Sequence, residues 1–168
     1  MGKIFLESYG GETIDELLAM KVSHRIDSLV GAIEQALDMK RREDPSHAER
    51  VVLAVEALER EVNNGGYNQF FFNSSREFTP FIVQALELIG CPKCAAITAS
   101  AIAVLDLSDQ ADVDAIHEAA SEMSDEDCER LDEADSQYYK NDEDIAQSLL
   151  AYIERHAKEI ELPHAGLA

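Results

Sequence analysis

The chain has 168 residues, with 34 Asp and Glu against 14 Lys and Arg, a formal net charge of −20. Its length suits one domain with a real core, and a hydrophobic share of 46% excludes a disordered acidic chain. The charge disfavours direct binding to nucleic acid or to an anionic membrane, whose phosphates it would repel, and favours a basic partner.

Residues 1–12 carry no helical pattern and are expected to be loose. Thr13-Ile14-Asp15-Glu16 reads as a capping box, in which Thr13 accepts from a first-turn amide and Glu16 reaches back. Behind it Ile14, Leu17, Leu18, Ile26, Leu29, Val30, Ile33 and Leu37 recur at helical steps. They predict a helix over 14–40, bent or broken near Val22–His24 and ending in Lys40, Arg41 and Arg42, where positive charge suits a C-terminus. Asp44-Pro45-Ser46 stops it, and Ser46 with Glu49 forms a second capping box. Val51, Val52, Val55, Leu58 and Val62 give the next helix its apolar face.

That helix is expected to end at Asn63-Asn64-Gly65-Gly66, residues that accept a left-handed cap. The aromatics after it, Tyr67, Phe70, Phe71 and Phe72, are expected to fill the core. Thr79-Pro80 reads as an N-cap with proline at the first helical position, opening a helix over 80–89 that closes at Gly90. Cys91 to Leu105 is small and apolar and is expected to be the most buried helix.

Composition then changes. From Asp106 to Asp144 there are 16 acidic residues and two basic ones, Arg130 and Lys140. Val113, Ile116, Ala119, Met123, Cys128, Leu131 and Tyr138 still recur among them, which predicts two amphipathic acidic helices over 110–122 and 125–139. A last helix over 142–160 carries Ile145, Leu149, Leu150, Ile153 and Ile160, and residues 163–168 form a loose tail. With no strand pattern longer than Lys3–Leu6 and no linker, the expected fold is all-α: a single-domain bundle of six to eight helices over 13–162.

No apolar run approaches the ~18–20 residues that cross a bilayer, and Met1–Glu7 does not read as a signal peptide. A cytoplasmic protein is the simplest expectation. Three cysteines, Cys91, Cys94 and Cys128, are too few for a disulfide framework and fit a reducing compartment. Cys91-Pro92-Lys93-Cys94 has dithiol spacing at an expected helix start, where the dipole and Lys93 would lower a thiol pKa. It lacks the βαβ context such chemistry uses, so buried structural cysteines are the preferred reading. The histidines, His24, His47, His117, His156 and His164, form no i, i+4 pair, which favours structural or surface roles. Asp106, Asp109, Asp112 and Asp114 lack the rhythm and the glycine of a calcium loop. No catalytic residue, metal site or cofactor is assigned.

Two features remain. The segment Asn63–Ser75 reads as a tight turn or, alternatively, as a polar pocket of a small-molecule-binding protein or enzyme, formed by Asn63, Asn64, Gly66, Gln69 and Asn73. The acidic segment reads as a solvated face, a generic acidic interaction module, or a surface that imitates DNA. Duplex DNA carries one charge per ~1.7 Å of axis, so the segment's net 14 charges match ~24 Å of duplex. Two acidic helices folded back on each other would each be ~20 Å long. The phosphate stand-ins would be Asp112, Asp114, Glu118, Glu122, Asp125, Glu126, Asp127, Glu129, Asp132, Glu133, Asp135, Asp142, Glu143 and Asp144.

At Glu61-x-Asn63-Asn64-Gly65-Gly66-Tyr67-x-Gln69-Phe70-Phe71-x-Asn73-Ser74-Ser75 the chain resembles a bacterial helical family, formerly of unknown function, whose named member is a 19-kDa DNA mimic. Arg76 departs from the pattern, which leads one to expect a small residue such as glycine there. The resemblance covers about residues 40–160. It implies an α-helical, non-enzymatic protein with a DNA-like acidic surface. It further implies a dimer that binds a basic DNA-binding protein, a helix-turn-helix transcription factor, in competition with DNA. An all-α chain with this apolar share has room for a homodimer interface.

Overall fold

The computed structural model describes residues 2–40, 44–108 and 111–163. The chain is all-α, with eight α-helices among the described residues. They are α1 (Ile14–Ala19), α2 (Ile26–Met39), α3 (His47–Phe72), α4 (Thr79–Ile89), α5 (Pro92–Val104), α6 (Val113–Ser121), α7 (Asp125–Lys140) and α8 (Ile145–Arg155). Short 3₁₀ turns cover Met20–Val22, Ser74–Phe78 and Ala157–Glu159. Backbone contacts divide the chain into two compact units, Met1–Glu56 with Asp144–Ala168 and Ala57–Glu143. The division falls inside α3.

In the first unit α2 packs on α8, burying Leu29, Val30, Ile33, Leu149, Leu150 and Ile153. Both capping boxes form as expected. Thr13 Oγ1 accepts from Glu16 N while Glu16 Oε2 accepts from Thr13 N at 2.7 Å. Ser46 Oγ accepts from Glu49 N, and Glu49 Oε2 accepts from Ser46 N. The expected long first helix is broken at the 3₁₀ turn and resumes after an extended Arg25. Its expected end at Arg41 and Arg42 lies outside the described residues. Residues 3–9 are tied down rather than loose. Ile4 bonds to Ser23 and Arg25, Leu6 N donates to Ser28 Oγ, and Tyr9 N donates to Gln35 Oε1. Residues 164–168 of the expected loose tail lie outside the described residues.

Glu49 centres a deeply buried polar knot in this unit. Its side chain is 1% exposed and accepts from Lys40 Nζ, Ser46 N and Glu161 N, each at 3.0 Å. Burial pushes its carboxyl up, but these donors together hold it below the ordinary value of 4.5. Its stabilisation is therefore full above 4.5 and drains as pH falls through the lower folded value. Glu49→Ala leaves two amide donors without their acceptor and takes from Lys40 its buried carboxylate, leaving it only Glu161 among the described residues, and should cost about 3 kcal/mol at neutral pH. Thermal melts over acidic pH check it: the variant's loss relative to the wild type should shrink as pH falls.

In the second unit α5 lies between α4 and α7. Leu58, Val62, Tyr67, Phe70, Phe71, Ile82, Leu86, Ile116 and Leu131 are buried there. Gly90 closes α4 with a left-handed φ of 89°, as expected. Three expectations are corrected. Thr79 is not the N-cap of α4: the 3₁₀ turn runs into the helix with Phe78 at the cap in helical geometry, and Thr79 Oγ1 is buried with no hydrogen-bond partner among the described residues. Helix α5 is not the most buried, because Lys93, Ala96, Ala99, Ser100 and Ala103 are exposed, and alanine tolerates water as readily as burial. Phe72 leaves the core and is 49% exposed.

Candidate partner interface

The acidic residues divide into those engaged by the fold and those turned to water. Asp112 caps α6, accepting from Ala115 N at 2.9 Å. Asp127 closes a capping box with Ser124, whose hydroxyl donates to it at 2.7 Å and holds its carboxyl below the ordinary range. Asp144 caps α8 and belongs to the first unit. Asp142 pairs with Lys93 at 2.6 Å. Glu143 receives the first-turn amides of α5, Lys93 N at 3.0 Å and Cys94 N at 2.8 Å. Asp135 is half-buried and accepts from Tyr67 N at 2.8 Å, and burial raises its carboxyl pKa.

The remaining eight, Asp114, Glu118, Glu122, Asp125, Glu126, Glu129, Asp132 and Glu133, are exposed, and none has an ion-pair or hydrogen-bond partner for its carboxylate among the described residues. At 3.6 residues per turn, the five on α7 (Asp125, Glu126, Glu129, Asp132, Glu133) fall within an arc of about 120°. That arc lies opposite the buried Leu131, Ala134 and Tyr138. On α6, Asp114, Glu118 and Glu122 form an i, i+4, i+8 row with ~6 Å of axial rise per step. The row lies opposite the buried Ile116 and Ala120. The acidic helices do not pair closely as two folded-back rods. Helix α7 packs on α5, while α6 packs on the 3₁₀ turn at Ser74–Phe78.

The dithiol reading fails on electrostatics. Glu143 occupies the N-terminus of α5 and Lys93 turns to Asp142, so neither favours a thiolate. Burial, with Glu59, Cys91 and Glu143 nearby, pushes the Cys94 thiol up to about 12. Cys91 is buried as well, and Cys128 is exposed. The described residues hold no group of three or more metal-ligating side chains. Asp109 and His164 lie outside them.

The five residues of the alternative pocket do not converge. Asn63 donates to Glu59 O, and Asn64 is exposed with no side-chain hydrogen bond among the described residues. Gln69 and Asn73 instead both donate to Glu61 Oε2, at 2.7 and 2.8 Å. Glu61, 8% exposed, is the residue the pocket reading missed. Its place at i+7, i+4 and i+3 from the apolar Ala54, Ala57 and Leu58, on the buried face of α3, was the available signal. Gly66, with φ at 76°, kinks α3 and lies under the Asp135 carboxylate. The motif therefore locks a bend. Arg76 joins this lock: Nη1 donates to Phe72 O and Asn73 O, and Nε to Val113 O.

A family model described as DMP19-like protein matches residues 43–156. The chain belongs to that family. The match takes in the Glu61–Ser75 lock and both acidic helices. Comparison with curated proteins and with solved structures finds no match. No helix among the described residues is long and apolar enough to cross a membrane.

Proposed function

We propose that this protein is a DNA mimic: its exposed carboxylates occupy the basic surface of a DNA-binding protein, such as a transcription factor, and exclude DNA. The supporting observation is the placement of the eight carboxylates without partners. On α7, five occupy one solvent-facing arc over eight residue steps, ~12 Å of axis. One charge per ~2.4 Å approaches the ~1.7 Å of the duplex. Like charges at i, i+4 disfavour a helix by ~0.2–0.5 kcal/mol a pair, a cost that solubility alone does not require. Family membership supports the same reading.

The mechanism is competition by charge. A DNA-binding surface holds condensed anions or phosphates, and the protein's carboxylates replace them, releasing small ions. Binding should therefore weaken steeply with salt. The test is capture from the native host's lysate at low salt, with elution by a salt gradient and, separately, by duplex DNA. One DNA-binding protein released by both supports mimicry. Capture of bulk ribosomal cations alone, or affinity that stays flat with salt, overturns it.

A further inference from the structure

Phe72 has a position that the mimic's charges do not account for. Of three consecutive phenylalanines, Phe70 and Phe71 are fully buried while Phe72 is 49% exposed. Its ring lies against His117 of α6, with centroids 4.7 Å apart. His117 Nδ1 donates to Phe72 O at 3.1 Å, and Arg76 bridges Phe72 O to Val113 O. Val113, also exposed, borders the same patch. An aromatic ring is thus held rigidly at the surface against the helix that carries Asp114 and Glu118. Asp114 stands three residues before His117, an i, i+3 pair ~5–6 Å apart on the helix surface, and Glu118 follows Asp114 at i+4, so the two carboxylates neighbour each other beside the His117 turn.

Resting on the mimic reading above, we propose that this patch is an arginine-stacking site. A guanidinium of the basic partner lies on the Phe72 face while its N–H groups reach the Asp114 and Glu118 carboxylates. Guanidinium is planar and weakly hydrated, stacks on aromatic rings and pairs bidentately with carboxylates, whereas ammonium is a strongly hydrated point charge. The occupant is therefore arginine in preference to lysine. Arg76 does not fill the place, since its guanidinium is turned to three backbone carbonyls and no described cation stacks on Phe72. Asp112, Asp114 and Glu118 outnumber its single charge. The patch supplies what a pure polyanion lacks, a contact that discriminates between cations and persists in salt.

The test measures binding of labelled oligoarginine and oligolysine peptides to the wild type, Phe72→Ala and Phe72→Leu by fluorescence polarisation across a salt series. Phe72→Leu keeps apolar packing on His117 but removes the π face, and circular dichroism verifies the fold of each variant. Both substitutions should weaken oligoarginine binding roughly three- to fivefold and leave oligolysine within about twofold, with unchanged salt slopes. An arginine preference that survives Phe72→Leu overturns the stacking site while leaving mimicry standing. If neither peptide binds the wild type in a salt-dependent way, both readings fall.

Discussion

The triple variant Glu129→Gln, Asp132→Asn, Glu133→Gln should fold, melt slightly higher than the wild type, and bind the captured DNA-binding protein up to about a hundredfold more weakly at low salt. The three side chains are exposed, and none has a carboxylate partner among the described residues, so neutralising them breaks nothing the fold uses. Asp125 and Glu126 stay charged, because both stand in the first turn of α7, where negative charge suits the dipole. Repulsion between Asp125 and Glu129 and between Glu129 and Glu133 disappears, worth ~0.2–0.5 kcal/mol a pair. Binding changes in the other direction. Each exposed pair contributes up to ~1 kcal/mol, and the slope of log affinity against log salt should fall by about one per charge removed. A control that neutralises two carboxylates elsewhere in the unit, Glu77→Gln with Glu87→Gln, should leave the slope unchanged. Isothermal titration of both variants over a salt series separates the outcomes. Equal slopes for triple variant, control and wild type would sink the reading of α7 as the mimic face.

The helices were legible in the sequence where local chemistry fixes them. The capping boxes at Thr13 and Ser46 and the left-handed Gly90 depend on neighbours within four residues, and all three stand where expected. What composition could not reveal is which polar groups serve the interior. The fourteen expected phosphate stand-ins look equivalent in the sequence, yet Asp135 answers an amide sixty-eight residues away and Glu143 caps a helix fifty residues back. Such long-range pairings leave no periodicity to read. The same applies to Phe72. Its two neighbours enter the core, and a bend of α3 decides which of the three faces water. Thr79 was misread because Thr-Pro usually opens a helix from an extended residue, and here a 3₁₀ turn supplies the preceding helical backbone instead.

Gly66→Ala should destabilise the protein by about 3 kcal/mol, whereas Asn64→Ala should cost under ~0.5 kcal/mol. The contrast decides what the Asn-Gly motif is for. At Gly66 the backbone has φ of 76° with ψ of −176°, a region essentially reserved for glycine, and a side chain there costs ~1–3 kcal/mol before any collision. A β-carbon would also strike the Asp135 carboxylate, which must swing away. Tyr67 N–H then loses its acceptor, a further ~1–3 kcal/mol for a donor on a fully buried residue. The Tyr67 ring cannot absorb the shift freely, because its hydroxyl shares a hydrogen bond with Thr98 Oγ1 at 2.7 Å and its face meets Phe71 and Tyr138. Asn64 points to water, and nothing in the structure explains its presence. Chemical denaturation of the two variants gives the result directly. A ligand pocket would leave both variants stable, with Gly66→Ala tolerated and Asn64→Ala fatal to function alone. The expected order instead makes the motif a hinge lock for α3, the bend that sets Phe72 against α6.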